Sequence, residues 1–382
     1  MTVFSIRLLP CVFPVAILLS LLISGNAVAD GRANGDVTSL ALGGTLTTPI
    51  MSYIAGANPA QLPMLRDPTE LLIYPGSYTE GHGTERDYNA ALANYQSQYD
   101  QFLASPSANT QSSLESAAQR FASSDQQESK HAFGGIVLPH LPISLDAQVQ
   151  VHHQAAFRGS KTATSDYSDP NQPLTHVYGD YRALTSVTMA ATFAGIVLGD
   201  AASARQLSIG IRPKLVSLRS RAYHFSAHNI SGIPYASDFA RQFNLDVGAL
   251  YRVDTLYTGL SVHNVQPQAV DFFLVPGSYR QRPDARLGIA HQQGRWFSTA
   301  EVELVPVQDL WGEDSQHVRA GLEFSPRARF ALRAGVAYDL LAQYPTALSA
   351  GLGYNSEWLT LNAFGQASTD ALSTGLSLGI RL

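Results

Sequence analysis

The chain is 382 residues long, 45% hydrophobic and only 14% charged, with a formal net charge of −5. That charge fraction lies well below the roughly 25% of soluble domains, and the negative balance argues against direct nucleic-acid binding, which favours a net basic chain. The one cysteine, Cys11, falls in the N-terminal leader, so the expected mature chain has no disulfide, thiol nucleophile or thiolate metal site.

The leader comes first. Arg7 supplies a positive start, Val12 to Ile23 is an apolar run, and Ala27-Val28-Ala29 reads as a small-x-small cleavage site. This predicts a cleaved signal peptide over 1–29, and hence export. No later segment offers the ~18 consecutive apolar residues of a spanning helix. A soluble exported protein and a membrane β-barrel remain.

Residues 30–84 hold two candidate strands, Thr45–Ile54 and Thr69–Tyr74, around Ala41-Leu42-Gly43-Gly44 and Asn58-Pro59-Ala60-Gln61-Leu62. Residues 85–130 break the β pattern. From Asp87 to Leu103, Ala91, Tyr95, Tyr99 and Phe102 fall on one helical stripe. Pro106 ends that helix, and Thr110 to Ala122 forms a second, with Leu114, Ala117, Ala118 and Phe121 on its stripe. The polar faces exclude hydrocarbon. The strand count places this helical insert on the periplasmic side, as a solvated cap or as a docking element for a periplasmic partner.

Residues 131–382 read as the main run of strands. Apolar and polar side chains alternate over 142–153, 243–253, 316–324 and 329–338, and again from Leu376 to Leu382, the period of a sheet with one apolar face. Asp254–Thr255, Gln292–Arg295, Ser325–Arg327 and Asn355–Glu357 read as tight turns. Longer polar loops near 159–182, 220–242, 264–283 and 307–315 separate them. Short turns on one side and long loops on the other are the ordering of bacterial outer-membrane barrels. The count reaches about 14 strands, an even number. Tyr251, Tyr257, Trp296, Tyr338, Tyr354 and Trp358 lie near strand ends, where an interfacial girdle sits. A soluble antiparallel sandwich also alternates, but has no reason for this loop order.

The polar parity puts Asp146, Arg212, Lys214, Asp246, Arg252, Arg286, Glu301, Glu303, Arg319, Glu323, Arg329 and Arg333 toward the lumen. Interleaved signs fit cross-strand ion pairing, whereas a charge-selective pore shows one dominant sign. Pro213, inside the expected strand Leu207–Leu215, removes a ladder hydrogen bond. It marks either a bulge near the strand end or a kink that opens the wall sideways. No H-E-x-x-H, Walker loop or cysteine pair is present. His152 and His153 point to opposite faces, and the outward His153 and His291 lack a Ser–acid partner. No enzyme, cofactor or metal site is expected.

Ala41-Leu42-Gly43-Gly44 followed by Asn58-Pro59-Ala60 resembles the N-terminal region of the FadL-like superfamily, which includes long-chain fatty-acid transporters and PorV-type secretion barrels. There an A-L-G-x-G-G-like segment precedes an N-P-A-x-L turn; here the first element is shortened and no acidic pair precedes Asn58. With its helical insert, the chain is most similar to the conjugal-transfer TraF-type family. The resemblance implies an all-β, antiparallel outer-membrane barrel of about 14 strands. It also implies an N-terminal segment partly plugging the lumen, with Gly43, Gly44, Asn58, Pro59 and Ala60 as the plug motif. The implied role is transport of small hydrophobic molecules, or support of a conjugal transfer apparatus through periplasmic partners. An accessory barrel without cargo, or a lipid hydrolase, are the alternatives.

Overall fold

The computed structural model describes residues 37–42, 44–48, 57–64, 71–82, 85–138, 144–163, 173, 175–199, 203–228, 237–272, 277–327, 329–369 and 371–381. The leader, Gly43 and most of the expected strand Thr45–Ile54 lie outside these residues.

Fourteen antiparallel strands close into a barrel. In chain order they are β1 (Leu72–His82), β2 (Asp125–Val137), β3 (Ser144–Ala163), β4 (Thr175–Leu198), β5 (Arg205–Ser226), β6 (Asp238–Val253), β7 (Leu256–His263), β10 (Asp284–Gln293), β11 (Trp296–Glu303), β14 (His317–Arg327), β15 (Phe330–Asp339), β16 (Ala347–Asn355), β17 (Leu359–Ala367) and β18 (Leu372–Arg381). β1 pairs with β18 to close the ring. The other four strands form two loop hairpins, β8 (Gln268–Asp271) with β9 (Ser278–Gln281) and β12 (Val307–Gln308) with β13 (Asp314–Ser315). Closure satisfies every strand edge, the condition for crossing hydrocarbon with sheet. None of the described helices is long and apolar enough to cross a membrane.

The parity of the sequence becomes the two faces of this wall. Met189, Ile209, Phe243, Leu287, Leu332, Leu352 and Leu376 point outward and are exposed, while Asp146, Arg286, Glu301 and Glu323 point inward and are buried. Alternation arises because successive side chains leave opposite faces of a strand.

The barrel is lopsided. β3, β4 and β5 have 20, 24 and 22 residues, where about 9–11 cross a bilayer. β7, β11, β16 and β17 have only 8, 8, 9 and 9. The stretches 159–182 and 220–242, expected as polar loops, are mostly extensions of these long strands. β2 to β6 thus form a tall wall that rises beyond the bilayer at the long-loop mouth, and the remaining strands a low one.

The helical insert is a hairpin of α2 (Glu85–Ala104) and α3 (Ala108–Ala122), following the short α1 (Val37–Ala41). α3 starts on a capping box in which the Thr110 amide donates to Ser107 Oγ. The predicted stripes are its core: Ala91, Tyr95, Phe102, Leu114, Ala117, Ala118 and Phe121 are all buried, together with Tyr88. They pack with Val177 and Ala227 and against Phe157, above the lipid band of the tall wall. Val177 and Phe157 share the outward parity of Met189.

The expected periplasmic placement is corrected by the chain path. The insert connects the end of β1 to the start of β2, and β2 begins at Asp125, inside the stretch read as insert. One membrane strand therefore precedes it rather than two, which moves it to the long-loop mouth. The second strand expected before it, Thr45–Ile54, is no wall strand where it is described, since Thr45 to Thr48 lie inside the barrel.

Candidate functional site

Part of the lumen is occupied by residues 37–42, 44–48 and 57–64 of the chain itself. α1 packs behind β15 to β18 in an apolar cluster of Val37, Leu40, Ala41, Tyr74, Tyr78, Phe133 and Phe364. From there the segment circles the inner wall against the strand order, reaching β14 at Leu42, β11 at Thr48 and β5 at Pro59. Inward glycines make the track. A Cβ at Gly351, Gly321, Gly259, Gly248 or Gly210 would collide with Ala41, Leu42, Thr47, Asn58 or Pro59 respectively. These glycines are close-approach positions, where backbone must meet backbone.

Polar side chains of the wall hold the segment in place. One Glu301 carboxylate oxygen accepts from the Leu46 and Thr47 amides, at 2.8 and 2.7 Å, and from the Thr47 hydroxyl at 2.5 Å. Its other oxygen accepts from Arg286 Nη1 at 3.2 Å. Arg212 Nη2 donates to the Ala57 carbonyl at 2.7 Å. The Asn58 amide nitrogen reaches the carbonyls of Thr47, Ala249 and Leu260 at 3.0, 3.1 and 3.3 Å, and its oxygen accepts from the Ala60 amide at 3.0 Å. Gly44, at φ 85°, turns against Arg319. Of the motif residues, Gly44 meets the luminal charge Arg319, while Asn58, Pro59 and Ala60 rest on wall backbone beside the segment that Arg212 and Glu301 hold.

The luminal charges form three ion-paired groups. Arg286 reaches Asp284 at 2.7 Å and Glu303 at 3.4 Å, and Glu303 also takes Arg319 at 2.8 Å and His317 at 3.2 Å. Arg333 binds Glu323 at 2.7 Å and donates to Asn362 at 2.9 Å. Across the lumen, Asp246 takes Lys214 at 2.6 Å and Arg212 at 3.5 Å, and Asp146 accepts from the Tyr74 hydroxyl at 2.6 Å. Buried charges persist only when paired and hydrogen-bonded.

Two predicted positions lie at the tight-turn end rather than among the buried charges. Arg329 is exposed outside β15 in the tight turn, because β15 begins only at Phe330. Arg252 lies at the tight-turn mouth, where Nε donates to the Asp254 carbonyl at 3.0 Å. Pro213 lies well inside β5, not near a strand end. The β4–β5 pairing lacks two residue pairs there but keeps its register on both sides, so no bulge forms. Pro75 leaves a similar interruption between β1 and β18.

Sequence reasoning missed the closure of the long-loop mouth. The two loop hairpins fold over the lumen onto the inner face of the tall wall, burying Val270, Phe272 and Leu310 against Ala156, Leu184, Val216, Leu218 and Ala222. Arg158 and Arg182 flank Trp311 at 4.6 and 4.8 Å from its ring centre, and Arg182 also lies 5.1 Å from Phe272. Asp309 ties the hairpin: its carboxylate accepts from the Trp311 and Glu313 amides at 2.9 and 2.8 Å and from the Tyr344 hydroxyl at 2.9 Å. Beside this lid lie polar cavities of about 70 and 50 Å³, both lined by His152, Asn264 and Gln281. His131 and His152 stack at 3.8 Å beside the larger one. The polar parity of Arg158 and His152 was a usable signal; the aromatics in the loops gave none.

The family described as the F plasmid transfer operon TraF protein matches residues 58–302. Among solved structures, the Ralstonia pickettii toluene transporter TbuX is similar at a TM-score of 0.57 and 11% identity, covering 92% of this chain and 99% of its own. The P. putida toluene transporter TodX is similar at 0.52 and 12%, covering 94% and 99%. At such identity the likeness is one of fold. No curated protein sequence matches the chain.

Proposed function

The chain belongs to the family of the F plasmid transfer operon protein TraF, with an outer-membrane barrel of the FadL-like type, and on that premise we propose that it passes a small apolar molecule through a plugged and lidded lumen. The signal peptide over 1–29 exports it, and it acts without catalysis. The N-terminal segment is the plug, and Glu301, Arg212 and Asn58 are its anchors.

The observation that carries this reading is the surroundings of the β1–β18 seam. Inside the seam lies the apolar cluster around Tyr74, Tyr78, Phe133 and Phe364. Outside it lies a cleft of about 580 Å³ lined by Pro75, Leu332, Leu352, Leu361, Leu376 and Leu378. The ladder between them is interrupted at Pro75. An apolar solute crossing there would meet this ring cluster, whose Tyr74 hydroxyl donates to Asp146 at 2.6 Å. The interruption at Pro213 is backed instead by Arg212 and Thr192, which hydrogen-bond at 3.0 Å, so it is the less suited of the two openings.

The test is uptake of a labelled monoaromatic hydrocarbon by cells making the native chain or one of two disulfide-locked variants. One lock joins Pro75→Cys to Leu378→Cys, the other Pro213→Cys to Ala191→Cys. Uptake that stops only with the first lock supports the seam. Uptake that stops only with the second moves the opening to Pro213, and no uptake by the native chain removes the transport reading. The rival role, support of a transfer apparatus through the insert, now rests on a hairpin at the long-loop mouth. Deleting residues 85–122 would abolish transfer and spare uptake under that reading.

A further inference from the structure

We propose that the outer face of the tall wall carries a binding row for the phosphate groups of an outer-leaflet glycolipid, formed by Lys130, Arg219, Arg221 and Arg241 beside His153. The pairing of the strands puts them side by side. Lys130 faces His153, His153 faces Thr185, and Thr185 faces Arg219, all on the outward parity. Arg221, opposite Ala183, and Arg241, opposite Ser217, lie one outward step to either side. The fields of Lys130, Arg221 and Glu128 converge on the His153 ring. Glu128, paired with Lys130, is the acid of this surface, so the row carries a positive excess.

Its height on the wall identifies the ligand. On β6 the outward residues from Tyr251 to Phe243 are apolar, and the next outward residue is Arg241. On β5 the outward run from Leu207 ends at Leu215, with Arg219 the second outward residue beyond. Nine residues tilted at about 45° span roughly the 25 Å apolar height of an outer-membrane barrel. The row thus stands at the edge of the acyl chains, on the long-loop side that faces outward in bacterial barrels, and the helical hairpin packs farther up the same face. Phosphate is the anion at that depth, and the arginine fork matches it bidentately.

The guanidiniums are only lightly engaged within the protein. Arg219 Nε donates to Ser237 Oγ at 3.1 Å, and Arg241 lies 5.6 Å from the Phe239 ring centre. At the same mouth the low wall presents Val262, Val302, Val318, Tyr338 and Leu348 outward, with no charge among them. The basic row is a feature of one side, which distinguishes a site from a general interfacial belt.

The experiment uses the full chain in detergent micelles and counts retained lipid by native mass spectrometry. The probes are diphosphorylated lipid A, its dephosphorylated form, phosphatidylglycerol and inorganic phosphate as competitor. Each basic side chain near an anionic surface contributes roughly fivefold, so R219Q/R221Q/R241Q is expected to weaken lipid A about a hundredfold. The exposed Lys161→Gln, at the far end of β3, should leave it within about twofold. Heat-modified gel mobility identifies folded barrel in every sample. Equal retention of dephosphorylated glycolipid or of phosphatidylglycerol overturns the proposal, as does displacement by inorganic phosphate. Those comparisons use the native chain, so they decide the matter even if the triple variant does not fold.

Discussion

The tall and low walls are built from the same alternating pattern, yet the pattern means different things in each. On the low wall, outward apolar residues such as Leu332 and Leu352 meet lipid and nothing else of the protein. On the tall wall the outward parity meets lipid up to Met189 and Phe243, then a row of bases, then the helices that cover Phe157 and Val177. Above the bilayer a strand with two apolar faces must have both covered, since water offers no acyl chains. The hairpin covers the outside and the loop lid the inside. Strand length therefore decides what an apolar face is for.

The comparison can be broken most severely at the low wall. Glu301→Ala leaves the Leu46 and Thr47 amides and one Arg286 bond unanswered in a buried site, and removing one partner of a buried pair costs about 3–5 kcal/mol. We expect a released plug, read as a rise in single-channel conductance with the barrel still heat-modifiable. Unchanged conductance would show that the glycine track, Arg212 and Asn58 hold the segment without Glu301.

On the tall wall, Phe121→Ala removes a fully buried ring from the hairpin core, a loss of about 3–5 kcal/mol for a phenylalanine. Limited proteolysis should then cut residues 85–122 while the strands below stay protected. Because this core stands outside the lipid band, barrel melting in detergent should hardly move.

A smaller effect is expected at the lid. Trp311→Ala removes the ring between Arg158 and Arg182, and each such contact contributes about 0.5–2 kcal/mol. Faster proteolysis within 304–316 would report it, with the helical hairpin unaffected.

The smallest effect comes from pH. Burial is the main cause that holds the Tyr88 and Tyr95 phenols above their ordinary value of 10. A group whose folded pKa is raised stabilises the folded form below its unfolded pKa and loses that contribution as pH rises above it. The hairpin should therefore loosen above about pH 10, seen as hydrogen exchange rising in 85–122 before the barrel strands.

Much of this architecture was legible in the residues. The run from Phe243 to Val253, the strand 329–338 and the final strand each carry a period-two pattern that only a half-apolar sheet explains. The helical stripes at Tyr95 and Leu114 were equally plain, because a period near 3.6 is a local property. The tight turns were mostly placed, although the pairing shift between Phe324 and Arg327 carries β14 past the expected turn. Asn58 and Glu301 each stood out, one by motif and one by parity. Their partners did not, since Glu301 answers Leu46 and Thr47, and Asn58 reaches Ala249 and Leu260, only when the N-terminal segment enters the barrel.

By itself the sequence determined the fold class, the faces of the strands and the cores of the two helices, because periodicity and propensity act between near neighbours. The tertiary structure decided which mouth the insert occupies, how far β3 to β5 rise, what Glu301 holds and what closes the lumen. Those outcomes depend on the parity of the strand count and on contacts across the ring. One misread strand, Thr45–Ile54, reverses a mouth, and no local pattern records that a glutamate will find the backbone of a segment that belongs to no wall strand.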